Sequence, residues 1–112
     1  TPGQMLDSLD RLAALPGNTR VYCTHEYTLS NLRFARTVEP ANGALQRYEQ
    51  DCIALRERQQ PTLPSTLAIE RRINPFLRSR EADVKRAVQA WRSTPDDDVS
   101  VFASLRQWKN EF

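Results

Sequence analysis

Histidine is almost missing from this sequence: His25 is the only one in 112 residues. A structural zinc site takes about four protein ligands and a catalytic one about three, so the chain alone has too little imidazole for a His-rich metal centre. Cysteine is nearly as scarce. Cys23 and Cys52 form no CxxC pair, and two isolated thiols make neither a disulfide scaffold nor a thiolate cluster. Such usage points to a reducing, cytoplasmic compartment. Three glycines leave no phosphate-cradling loop and no dinucleotide fingerprint, and no GxSxG nucleophile elbow occurs. No apolar run approaches the roughly 20 residues a bilayer demands, so no membrane partner is expected. The opening Thr1-Pro2-Gly3-Gln4 lacks the basic-then-apolar pattern of a secretory signal.

What remains is the composition of an ordinary globular domain. Apolar residues make up 39% and charged residues 27%, which excludes the disordered and low-complexity classes. Sixteen Lys and Arg face fourteen Asp and Glu, for a net charge of +2, and the two signs are interleaved. Counterion-release binding needs a basic face, and the one local excess, Arg71, Arg72, Arg78 and Arg80, is flanked by Glu70 and Glu81. No nucleic-acid partner is expected.

Hydrophobic spacing sets the elements. Met5, Leu6, Leu9, Leu12 and Ala13 recur at three- and four-residue steps and predict an opening helix. Pro16-Gly17-Asn18 ends it, with Gly17 in a left-handed cap. Arg20-Val21-Tyr22-Cys23 reads as one strand with no hairpin partner downstream, so its sheet is expected to lie outside this chain. Helices follow. Thr28 caps one carrying Leu29, Leu32, Ala35 and Val38, and Asn42 caps another with Leu45, Tyr48, Cys52 and Leu55. A loop with Pro61 and Pro64 precedes a short helix capped by Ser65 and closed by Asn74-Pro75. Ser79 opens a helix with Val84, Ala87, Val88 and Trp91, and Asp96-Asp97-Asp98 offers cap carboxylates to a last helix striped with Val101, Leu105, Trp108 and Phe112.

Few residues carry chemistry. His25 directly follows the predicted strand, where open sheets place ligands, yet a lone histidine also reads as a surface or capping residue. Cys23 and His25 are two apart on an extended chain and share a face, but nothing orients the imidazole, so a nucleophile pair is a weak option. Arg106 and Lys109, three apart on the last helix, share a surface and suit a carboxylate, Arg as a fork and Lys as a point charge. A solvated helix face is the plainer reading of the same pair.

Four separated segments change the balance. Tyr22 through Ala35 (Y-C-T-H-E-Y-T-L-S-N-L-R-F-A) resembles the hallmark segment of the hydroxyacylglutathione hydrolases, the glyoxalase II family. Leu63-Pro64-Ser65-Thr66-Leu67, Ile73-Asn74-Pro75-Phe76-Leu77-Arg78 and Leu105-Arg106-Gln107-Trp108-Lys109-Asn110-Glu111-Phe112 are similar to three further family segments in the same order. The resemblance implies a mainly α chain. A small helical domain of the glyoxalase II C-terminal type, residues 27–112, would follow the last helix and strand of a metallo-β-lactamase-like αββα sandwich, residues 1–26.

The resemblance also implies function. The family hydrolyses the thioester S-D-lactoylglutathione to glutathione and D-lactate, in methylglyoxal detoxification. It uses two metal ions, zinc and sometimes iron or manganese, whose bridging hydroxide attacks the thioester carbonyl. His25 corresponds to a ligand of the second metal. Tyr27 corresponds to the tyrosine whose hydroxyl contacts glutathione, and Arg106 with Lys109 to the Arg-x-x-Lys pair on its glycine carboxylate. The family's T-H-x-H-x-D-H motif is absent, so this chain alone is expected to be inactive and to depend on a missing N-terminal metallo-β-lactamase domain. Cut from that domain, residues 1–25 are expected to self-associate or to be disordered. The alternative is a non-catalytic helical binding module.

Overall fold

The computed structural model describes residues 1–21, 28–62 and 65–112. Among them run six helices and two short strands: α1 (Pro2–Ala13), β1 (Arg20–Val21), α2 (Thr28–Val38), α3 (Gly43–Glu57), β2 (Ser65–Thr66), α4 (Leu67–Ile73), α5 (Ala82–Trp91) and α6 (Asp98–Glu111). The mainly helical architecture expected from the sequence is the one found.

The cap positions explain where the helices begin. In α1 the Gln4 amide donates to Thr1 Oγ1 at 3.2 Å and the Thr1 amine returns a bond to Gln4 Oε1, a reciprocal capping box. Asn42 caps α3 by accepting from the Leu45 amide at 3.1 Å, and Asp97 caps α6 by accepting from the Ser100 amide at 3.0 Å. Both follow the sequence expectation, and each such cap contributes about 1 kcal/mol. Three expectations fail. Thr28 is the first residue of α2 rather than the residue before it. Thr66, not Ser65, caps α4 through the Ile69 amide, while the Ser65 hydroxyl is buried and turned to Glu70. Ser79 is 2% exposed, and α5 starts after Glu81, which makes no side-chain cap.

The strand predicted to lack a partner has one. β1 pairs antiparallel with β2, Arg20 opposite Thr66 and Val21 opposite Ser65. The ladder continues outside the strands, with Leu67 N–H on Thr19 O at 3.0 Å and Ala68 N–H on Gly17 O at 2.9 Å. Gly17 is not a left-handed cap either, since no glycine here has positive φ. Its small size serves a close approach instead: a Cβ at Gly17 would meet Ala68 Cβ at 3.3 Å.

Helix α2 lies between two cores. Phe34 and Val38 pack with Val84, Val88, Val101 and Leu105 of α5 and α6. Leu32 and Ala35 pack with Leu45 and Cys52 of α3 and Ile73 of α4. Aromatic rings thicken the first core: Phe34 meets Phe76, Trp108 and Phe112 at centroid distances of 6.1, 5.6 and 5.5 Å. Such edge-to-face and offset arrangements add to the area term. Helix α1 packs against α6, but only Leu6 of its expected apolar stripe is buried, while Met5, Leu12 and Leu15 stay exposed. The Arg71 guanidinium reaches back to the Ala13 and Leu15 carbonyls at the C-terminus of α1, and Arg80 pairs with Asp10 of α1 and Asp98 of α6.

Candidate functional site

Of the four residues singled out by the family resemblance, two can be placed. His25 and Tyr27 lie outside the described residues, as do Cys23 and Glu26. Arg106 and Lys109 stand on α6, whose Val101, Phe102 and Leu105 are buried. That buried stripe fixes the rotation of the helix and leaves the two cations half-buried on its flank. Neither makes an ion pair with the described residues.

Lys109 lines a cavity of about 280 Å³. Its Nζ lies 5.9 Å from the centroid of the Phe34 ring, at the edge of cation–π range. Phe34 is itself fixed by Phe76 and Trp108, so the aromatic core supports the wall on which the ammonium sits. Arg106, one turn earlier, is not among the lining residues. The structure therefore brings the pair onto one helix but places only the lysine on the cavity wall.

The apolar lining is Leu32, Phe34, Ala35, Ile73, Pro75 and Phe76, and the polar groups enter from four elements: Thr28 and Asn31 of α2, Tyr48 of α3, Ser65 of β2, and Glu70 with Asn74 around α4. Burial shifts two of these groups from their ordinary values. Burial pushes the Tyr48 hydroxyl up to about 12, so it stays a donor through the physiological range. Burial also raises the Glu70 carboxyl, against the opposing hydrogen bonds from Asn74 and Ser65. The Cys52 thiol beside them is raised by burial as well and is fully enclosed, which makes it an inert core thiol rather than a nucleophile. Such an arrangement can seat a small ligand with apolar parts, a carboxylate for the lysine, and polar groups for the opposite wall.

Sequence reasoning did not find Glu70, Ser65, Tyr48 or Asn74 as a group. One signal existed. Glu70 sits three residues after Leu67 and three before Ile73, on the face of α4 that both bury, and an acid in phase with core positions is a candidate for function.

The arginine excess at 71–80 has structural partners. Besides the links of Arg71 and Arg80 to α1, Arg78 holds Glu39 in a two-pronged ion pair at 2.7 and 3.0 Å. Glu39 is buried, and the fork geometry matches its carboxylate. Among the described residues no three His, Cys, Asp or Glu side chains converge to hold a metal. No described helix is long and apolar enough to cross a membrane.

Fold and cavity define a small, mainly helical domain with a half-buried cation on the wall of a largely apolar cleft. Comparison with known proteins places it further. Residues 26–112 match the family model described as hydroxyacylglutathione hydrolase C-terminus. The protein named hydroxyacylglutathione hydrolase in Albidiferax ferrireducens is 62% identical over 112 residues, covering 100% of this chain and 44% of the relative. Its namesake in Cupriavidus taiwanensis is 62% identical over the same span, covering 42% of that protein. A third in Shewanella baltica strain OS185 is 51% identical over 116 residues, covering all of this chain and 44% of the relative. The chain belongs to the hydroxyacylglutathione hydrolase family and corresponds to its C-terminal portion, as its four sequence segments led one to expect. It spans less than half the length of these relatives.

Proposed function

We propose that the chain is the substrate-binding, C-terminal part of a metal-dependent thioester hydrolase that converts S-D-lactoylglutathione to glutathione and D-lactate. The observation that carries the reading is Lys109, a half-buried ammonium on the wall of a cavity of mixed apolar and polar lining in a chain whose relatives are named hydroxyacylglutathione hydrolase. A half-buried ammonium beside an aromatic face attracts a carboxylate more strongly than a fully solvated one does. Glutathione's glycine carboxylate takes Lys109 together with Arg106, the cation one turn earlier on the same helix. Tyr27 contributes its hydroxyl to the same ligand.

The division of labour follows from what the chain lacks. Residues 1–26 are the terminal helix and strand of a metallo-β-lactamase-like domain, and residues 27–112 are the glutathione-binding domain. His25 is one ligand of a centre of two metal ions, zinc or alternatively iron or manganese. The described residues do not fit such a centre on their own, since no three candidate ligands converge. The other ligands have to come from the part of the relatives that this chain does not span. The chain by itself therefore binds glutathione and does not hydrolyse its thioesters, and the whole protein works in the cytoplasm.

Calorimetric titration of the chain with glutathione tests the reading. A charge-assisted hydrogen bond is worth about 1.5–3 kcal/mol, so Lys109→Ala and Arg106→Ala should each weaken binding about tenfold or more. Affinity in both variants unchanged from that of the unaltered chain, or no glutathione binding by the unaltered chain, would overturn it. Turnover of S-D-lactoylglutathione by the purified chain with added zinc would contradict the proposed inactivity.

A further inference from the structure

Among the described residues Glu70 is the one carboxylate on the wall of the cavity, and its hydrogen bonds to them are long. One oxygen accepts from Ser65 Oγ at 3.4 Å and the other from Asn74 Nδ2 at 3.5 Å. Both bonds are at the outer limit of hydrogen-bond length, and carboxylate oxygens normally accept several bonds below 3.0 Å. Among the described residues no Lys or Arg pairs with it, although every other buried or half-buried acid of the neighbourhood has found a guanidinium: Glu39 has Arg78, and Glu49 has Arg36. Lys109, the cation in the same cavity, is not within ion-pair distance. Among the described lining residues the cavity thus presents one group of each charge, together with the apolar Leu32, Ile73 and Phe76.

Two opposite charges held apart on the wall of one cleft suit a ligand that carries both. We propose that Glu70 is an ammonium subsite and that the cavity selects an amino-carboxylate zwitterion, its carboxylate at Lys109 and its primary ammonium at Glu70. An ammonium offers three donors and completes the carboxylate's coordination where Ser65 and Asn74 only begin it. A half-buried carboxylate with no cation among the described residues is costly, and burial raises its pKa. Seven-residue α4 holds Glu70 in place through the Thr66 cap and through Ile73 in the core, so the carboxylate is presented by a rigid element. This inference rests on the glutathione reading above: the ammonium would be that of the γ-glutamyl residue.

The test compares glutathione with glutathione acetylated on its amino group, titrated against the full chain and against Glu70→Gln. The unaltered chain should prefer free glutathione about tenfold, the worth of one charge-assisted bond. In Glu70→Gln the affinity for glutathione should fall by that factor, the acetylated compound should bind as before, and the preference should vanish. Far-ultraviolet circular dichroism matching the unaltered chain establishes that the variant is folded. The proposal is overturned if the unaltered chain does not discriminate between the two compounds, or if Glu70→Gln discriminates as well as the parent. Either result leaves the glutathione reading standing, whereas absence of glutathione binding removes both.

Discussion

On one face of α2, Phe34 and Val38 are enclosed by valines and leucines of α5 and α6 and by a set of aromatic rings. On the other face, Leu32 and Ala35 meet Leu45, Cys52 and Ile73, and there a tyrosine, a serine and a glutamate reach inward around an open cavity. The two cores share a helix and a residue vocabulary. They differ in that the first is closed by rings packed against rings, while the second admits polar groups whose partners are long or absent. Close packing leaves no space for a ligand; the cavity is lined by Leu32, Ala35 and Ile73 of the second core with Phe34 and Phe76 at the edge of the first, which serves as the foundation from which Lys109 is presented.

Substitutions can break that comparison, in decreasing order of effect. Phe34 is 1% exposed and touches both sides. Phe34→Ala should cost about 4 kcal/mol in urea unfolding, in the range for large aromatic truncations, and a loss below about 1 kcal/mol would mean the aromatic core is not the foundation described. Next comes the ion pair that ties the end of α2 to the segment after α4. Glu39→Ala leaves Arg78 partly buried without its carboxylate, and about 2 kcal/mol of stability should be lost, less than for a fully enclosed pair because Arg78 keeps some solvent. Lys109→Ala acts in the opposite sense. Its stability should change by less than about 0.5 kcal/mol, while glutathione binding drops about tenfold.

The smallest effect is a pH dependence. Burial raises the folded-state pKa of Glu70 above its unfolded value of 4.5, so the folded chain binds more protons than the unfolded chain just above that pH. Stability then falls as pH rises from 4.5 through the raised folded value, and the stabilising contribution is complete only below 4.5. Asp10 acts the other way, since the Arg80 hydrogen bond lowers its pKa and its contribution is lost on acidification, but it is exposed and counts for little. Melting temperatures measured from pH 4.5 to 7 should decline less steeply in Glu70→Gln than in the parent. An unchanged slope would show that the second core is not dry at Glu70.

How far the sequence reveals this arrangement depends on the range of the forces involved. Helices α3, α5 and α6 were legible because Leu45 and Cys52, Val84 and Val88, and Val101 and Leu105 repeat at helical spacing and are buried in the structure. Asn42 and Asp97 were legible as caps because capping is local. The β1–β2 pairing was not, since two residues per strand carry no alternation and the partners are separated by α2 and α3. The roles of Arg71 and Arg80 were also hidden, because what they hold, the end of α1 and Asp10, comes together only in the fold. In the candidate site Lys109 was found through its spacing from Arg106. Glu70 was missed because an acid within a charged helix reads as solvent-facing until its phase with Leu67 and Ile73 is considered.

Methyl resonances report on the two cores separately and test the account most directly. With the leucine, isoleucine and valine methyls labelled, addition of glutathione to the chain should shift Leu32 and Ile73, which line the cavity, and leave Val84, Val88 and Val101 of the closed core in place. Shifts centred on those valines, or no shifts at saturating glutathione, would contradict the assignment of the cavity as the binding site.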